Sequence, residues 1–199
     1  MKKNNKKLVI GMVGKAGSGK DTVGEYLIDT YNFQRLSLAS PLKAGIQSVF
    51  MLDDRTMYDR EARELPLKDF PDWSVRKLLQ FVGTELFRNN FDKDIWVKLL
   101  SKQIRESKSN NIVITDVRFP NEQNYLMNLN SDGSNSANIK FIQVKRSGCQ
   151  GDVGIGNHES EAYELSGDYV LNNDDGFDSL FSQVDSIMNE IIREPDLWG

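Results

Sequence analysis

The segment Gly14-Lys-Ala-Gly-Ser-Gly-Lys-Asp-Thr22 stands between an apolar run, Leu8 to Val13, and an amphipathic stretch that begins at residue 20. No other feature constrains the fold as strongly, because a phosphate loop of this kind needs a strand feeding it and a helix leaving it. Gly14, Gly17 and Gly19 permit positive φ angles and a close approach of the backbone, so successive N–H groups, those of Ala16 and Ser18 included, can converge on anionic oxygens. The helix start adds its positive dipole end, and Lys20 reaches the β- and γ-phosphates. The bland reading, a glycine-rich turn between strand and helix, does not account for the lysine, the spacing and the flanks together.

One position departs from the pattern G-x-x-x-x-G-K-[ST]: Asp21 follows the lysine and Thr22 comes next. A carboxylate there can hold Mg²⁺ directly or through water, since that ion prefers carboxylate and water oxygens, or it can serve only as an acidic residue in a helix's first turn. Lys15 adds a second cation, placed either toward an acceptor phosphate or toward solvent.

Around this loop, β-rich runs alternate with amphipathic stretches. Strands are expected at Leu8 to Val13, Arg35 to Leu38, Asn111 to Thr115, Ile139 to Val144 and Tyr169 to Leu171, with helices near 20–31, 41–51, 74–89, 92–107, 120–129 and 176–193. This order predicts an α/β fold, a five-stranded parallel sheet flanked by helices, with ligands outside the carboxyl ends of the strands. Two stretches interrupt the alternation, the charged Asp53 to Asp72 and the glycine-rich Ser147 to Asn157, and either is a candidate mobile cover. Asn130 to Asn138 is expected to be a flexible surface insertion.

Composition narrows the class. A chain of 199 residues with 39% hydrophobic and 27% charged residues is that of a globular domain. No apolar run approaches the roughly 20 residues that cross a bilayer, so no membrane partner is expected. The net charge of −4 argues against nucleic acid as a partner. Cys149 is the lone cysteine, which excludes an intrachain disulfide and fits a reducing cytoplasm.

Further chemistry clusters where strands should end. Asn111-Ile-Val-Ile-Thr-Asp116 ends a β-branched run in a carboxylate, the arrangement of a metal-orienting aspartate, with a turn or cap as the alternative. Arg118 follows two residues later, able to meet transferring phosphoryl oxygens or to pair with Glu122. Arg60, Arg63, Arg76 and Arg88 are candidate guanidinium partners for an acceptor phosphate. His158 is better suited to a helix start or lid than to base catalysis, because a phosphate acceptor is already ionised at neutral pH. Phe81, Phe87, Trp96 and Leu99 follow helical spacing and are expected mainly in the core.

Taken together, GKAGSGKDT, LASPLK, YDRE, WSVRKLLQFVGTELFRNNFDKDIWVKL, TDVRFPNE and YVLNNDDGFDSLF resemble the deoxynucleoside monophosphate kinases of large DNA phages and related viruses, P-loop NTPases of the nucleoside monophosphate kinase type. The resemblance covers nearly the whole chain, and the long central block is its most specific part. It implies one P-loop kinase domain over 1–199, with an acceptor-binding insertion at about 53–90 and a lid at about 145–160. By resemblance, Lys15, Leu42, Lys43, Arg60 and Arg76 meet the acceptor nucleotide, Gly83 and Trp96 lie near its sugar or base, and Asn173 lies near the donor adenine. Gly14, Ala16, Gly17, Ser18, Gly19, Lys20, Asp21 and Thr22 form the ATP loop, and Arg146 is the lid arginine. The interval between the second strand and WSVRK is shorter than in the phage pattern, which points to a reduced acceptor region.

The expected reaction is ATP plus a deoxynucleoside monophosphate giving ADP and the diphosphate. Lys20, Asp116 and Arg118 are its catalytic residues, and Mg²⁺ lies near Asp21, Thr22 and Asp116. The setting implied is a host cytoplasm, and a homodimer is compatible with the sequence. A small-metabolite kinase acting on dephospho-coenzyme A or phosphomevalonate would share the loop but not YDRE or the WSVRK block. A GTP-binding switch would need an N-K-x-D guanine motif, which the chain lacks.

Overall fold

In the computed structural model, which describes residues 6–129, 137–149 and 163–193, β1 (Lys7–Val13) feeds α1 (Lys20–Tyr31) through the glycine-rich loop. There follow β2 (Gln34–Leu36), α2 (Ser40–Val49), α3 (Asp54–Tyr58), β3 (Pro66–Leu67), β4 (Phe70–Ser74) and α4 (Val75–Gln80), which runs on as π-helix over Phe81–Asn89. The chain continues through α5 (Ile95–Glu106), β5 (Asn111–Ile114), α6 (Pro120–Met127), β6 (Ala137–Lys145), β7 (Tyr169–Asn172) and α7 (Phe177–Arg193). Residue contacts divide it into two compact units, one made of Met1–Ser37 and Ser101–Gly199, the other of Leu38–Leu100.

The first unit carries the five-stranded parallel sheet in the order β2-β5-β1-β6-β7. Strand order reverses at β1: the chain places β2 and β5 on one side, then crosses to β6 and β7 on the other. Such a reversal opens a crevice beyond the carboxyl end of the central strand. Leu8, Ile10 and Met12 alternate along β1 and share one core with Val23 and Leu27 of α1. Leu180, Val184, Ile187, Met188 and Ile191 of α7 join that core. Their helical spacing puts all five on one stripe, and each fully buried side chain stabilises the fold by about 1.5 to 3 kcal/mol. This packing fixes the two helices that flank the crevice.

In the second unit, Ile46, Met57, Leu67, Val75 and Leu78 form a separate core, with Leu42, Phe50, Leu52, Leu79 and Val82 packed against it. The charged stretch from residue 53 is built here from a short helix, a 3₁₀ turn at Ala62–Glu64 and the antiparallel β3–β4 hairpin. Its carboxylates act as local caps. Asp53 Oδ1 accepts from the Thr56 N–H at 2.7 Å, and Asp59 Oδ1 accepts from the N–H groups of Glu61 and Ala62 at 3.0 and 2.8 Å. Met57 and Leu67 anchor the stretch, too few apolar residues for a periodicity to register in sequence. The helix expected over 74–89 begins as read, with Ser74 Oγ accepting from the Lys77 N–H at 3.3 Å, but widens to π geometry after Gln80. The lid expectation beyond Cys149, His158 and most of the Asn130 to Asn138 insertion lie outside the described residues.

Candidate active site

The loop leaving β1 has the backbone its glycines were expected to supply: φ is +137° at Gly14, +78° at Gly17 and +106° at Gly19. Space reinforces the requirement at two of them. A Cβ at Gly14 would strike the Val144 carbonyl oxygen, and one at Gly19 would strike the Asn173 side-chain amide. Asn173 Nδ2 donates to Ser18 O at 2.8 Å, and its own N–H continues the β6–β7 ladder to Lys145 O at 2.8 Å. The loop is therefore tied to the ends of β6 and β7. Lys20 folds back across it, its Nζ donating at 2.7 Å to both Gly14 O and Lys15 O. Ser18 Oγ is buried with no hydrogen-bond partner.

Gly17, Gly19, Lys20, Asp21, Thr22 and Arg146 line a cavity of about 510 Å³, which Asn173, Asp174, Gly176 and Phe177 complete. Gly14, Lys15 and Ser18 border a second one of about 350 Å³, together with Arg146 and the end of β6. Of the ATP-loop residues expected from sequence, Ala16 alone lines neither cavity. Arg146 lines both, one residue beyond β6.

Two carboxylates are held at the carboxyl edge of the sheet. Thr115 Oγ1, one residue past β5, donates to Asp21 Oδ1 at 2.9 Å, and Ser37 Oγ, one residue past β2, donates to Asp116 Oδ2 at 2.7 Å. Each bond orients a carboxylate by one oxygen. No cluster of three or more metal-binding side chains occurs among the described residues. That donor set fits Mg²⁺, which is commonly held by one or two carboxylates, waters and the substrate's own phosphates.

Arg118 sits two residues beyond Asp116, in a turn fixed by Glu122, whose buried Oε2 accepts from the backbone N–H groups of Arg118 and Phe119 at 2.9 and 3.0 Å. The Glu122 carboxylate therefore shapes the backbone from which the guanidinium extends.

The remaining candidates lie in the second unit and fall into two groups. Leu42, Gly83 and Trp96 are neighbours: a Cβ on Gly83 would come within 2.6 Å of Leu42 Cδ2, and Trp96 Nε1 donates to Gly83 O at 2.9 Å. The indole ring also meets Phe87 edge-on at 5.5 Å. Lys43 Nζ stands 5.7 Å from the Tyr58 ring centroid, and Arg76 pairs with Glu64 at 2.7 Å. Arg60 is exposed just after α3, while the nearby Arg63 buries an Nε that has no partner.

Reading the sequence missed Ser37, Thr115, Asp174 and Phe177. Ser37 falls inside the strand expected at Arg35 to Leu38, which the structure ends at Leu36, and Asp174 lies three residues past the strand expected at Tyr169 to Leu171, where topology could have singled it out. Thr115 was read as strand, and Phe177 as ordinary helix.

The chain matches the model of the family described as deoxynucleotide monophosphate kinase over residues 57–184. It is 33% identical to an Acanthamoeba polyphaga mimivirus protein provisionally named deoxynucleotide monophosphate kinase, over 92% of this chain and 96% of that one. Identity is 26% to the deoxynucleoside-5'-monophosphate kinase of Escherichia phage T5, over 70% of this chain and 79% of that protein. Among solved structures, TT1252 from Thermus thermophilus superposes with a TM-score of 0.51 at 16% identity, covering 94% of this chain and 98% of that one, a likeness of fold alone. With the family match spanning most of the chain and a relative aligned along nearly its full length, the protein belongs to the deoxynucleotide monophosphate kinase family.

Proposed function

We propose that the protein transfers the γ-phosphoryl group of ATP to a deoxynucleoside monophosphate, giving ADP and the diphosphate. The observation that carries this reading is the phosphate cradle, with Lys20 lying across a loop held at positive φ by three glycines. The family names of its relatives supply the acceptor class.

In this reading the loop's N–H groups and Lys20 grip the donor phosphates, and Lys20 exchanges its two carbonyl partners for phosphate oxygens. Asp21, Thr22 and Asp116 would hold Mg²⁺, which would supply positive charge beside the donor phosphates. Arg118 and Arg146 place guanidinium groups against the transferring oxygens. In the second unit, Lys43, Arg60 and Arg76 take the acceptor phosphate, and Leu42 and Gly83, braced by Trp96, form the wall beside its sugar and base; Lys15 is a further cation on the phosphate loop. No general base is needed, since the acceptor oxygen is already ionised; catalysis is positioning and electrostatic stabilisation. The net charge of −4 suits small nucleotide partners rather than a nucleic acid.

The test is an ADP-release assay with ATP and Mg²⁺ across all common ribo- and deoxynucleoside monophosphates. Turnover with at least one deoxynucleotide is expected. No turnover with any of them overturns the proposal.

A further inference from the structure

Phe177 opens α7 and is 64% exposed, although it borders the cavity that Lys20, Asp21 and Thr22 line. It stands one residue past the cap position, held by Gly176, and an apolar ring satisfies none of the free N–H groups at the helix start. Leaving so much apolar surface in water is also unfavourable.

Its position is nonetheless fixed. The Phe177 ring lies nearly parallel to Phe181, with centroids 5.9 Å apart and planes 13° apart. Phe181 in turn stacks on Tyr26 at 4.1 Å and 5°. The Tyr26 hydroxyl donates to Asp185 at 2.9 Å, closing the column. Tyr26 belongs to α1, the helix that begins at Lys20, so the column joins the phosphate loop's own helix to α7. Three rings are stacked with the exposed one at the cavity.

From this geometry we infer that Phe177 is the platform on which the donor's purine base stacks once the loop holds its phosphates. The inference rests on the reading of this cavity as the donor site. Stacking uses the flat face of the base, which every purine presents, and not the hydrogen-bonding edge that distinguishes one purine from another. Phe177 therefore strengthens donor binding without selecting adenine over guanine. Selection falls to groups that meet the edge, and Asn173 and Asp174 line the same cavity.

Calorimetric titration of wild type, Phe177→Ala and Phe177→Trp with ATP, GTP and inorganic tripolyphosphate tests this, because tripolyphosphate fills the loop without a base. Phe177→Ala is expected to weaken ATP and GTP by the same factor, about tenfold, and to leave tripolyphosphate unchanged. Phe177→Trp should hold both nucleotides at least as well as wild type. Unchanged ATP affinity in the alanine variant overturns the platform, as does a loss shared by tripolyphosphate, which would make the ring a prop for the loop. A loss confined to ATP overturns the claim that the contact is blind to base identity. If wild type binds neither ATP nor tripolyphosphate, the donor-site reading falls and the platform falls with it, a result distinct from all the others.

Discussion

Lys20 Nζ is bonded to two loop carbonyls, Gly14 O and Lys15 O, so in the proposed reading its charge is held at the cradle before phosphate oxygens arrive. Lys20→Ala should cut kcat by about a hundredfold or more, with a melting temperature near wild type, because the side chain fills no core position. A folded variant retaining most of its kcat would remove Lys20 from the chemistry. The arginines of the second unit call for a different experiment. Arg76 is paired with Glu64, and Arg60 is exposed, so neither is needed to complete a core. Arg60→Ala and Arg76→Ala should each raise the acceptor KM far more than the ATP KM, by what a lost charge-assisted contact of about 1.5 to 3 kcal/mol implies. Glu64→Gln is the control, since it removes the charge opposite Arg76 and leaves the guanidinium in place. Equal weakening of both substrates would show that these arginines do not act on the acceptor.

At the scale of elements, the π-helical turn Phe81–Asn89 changes what Trp96 does. Helical spacing places this residue in the core, and family resemblance places it beside the acceptor. Its indole N–H is committed to the carbonyl of Gly83, and its ring to Phe87, within the same structural unit. Trp96 therefore braces the widened helix, and its influence on an acceptor passes through the position of Gly83 and the Leu42 side chain packed there. Trp96→Phe keeps the ring and drops the donor, and should cost about 1 kcal/mol of stability, read as a lower urea midpoint at unchanged slope. A raised acceptor KM with an unchanged midpoint would mean that the indole touches substrate directly. The brace was not legible in sequence, because nothing in the run FVGTELFRN distinguishes π from α geometry. The loop, by contrast, was legible down to single residues, since glycine, lysine and spacing all answer to one chemical demand, a concave array of N–H groups.

Across the whole molecule, the centre of the sheet could be read because β1 and β5 are buried and rich in β-branched residues, so Leu8 to Val13 and Asn111 to Thr115 stood out without any knowledge of their partners. The β3–β4 hairpin could not, since Pro66–Leu67 pairs with a strand, Phe70–Ser74, that exposes four of its five residues and so lacks a buried face. The link between α1 and α7 was hidden for another reason: Tyr26 and Tyr31 are 159 and 154 positions from Asp185, yet both hydroxyls donate to its Oδ1, at 2.9 and 2.8 Å. Burial, then the Asp185 bond, pushes the Tyr31 hydroxyl up to about 12, and the Asp185 bond, then burial, raises Tyr26 as well. Both are protonated in the fold at a pH where the unfolded chain, with tyrosines titrating near 10, has begun to lose those protons. The sign follows from linkage: the stabilisation is complete below pH about 10 and is lost as pH rises toward about 12, when phenolates form beside a carboxylate. Thermal melts between pH 9 and 12 should therefore fall more steeply for wild type than for the Tyr26→Phe/Tyr31→Phe variant, which has no such protons to lose. Asp185→Asn, which removes the charge but keeps an oxygen acceptor, should flatten the curve in part. Parallel curves for all three proteins would show that the tyrosine pair does not couple the two helices to pH.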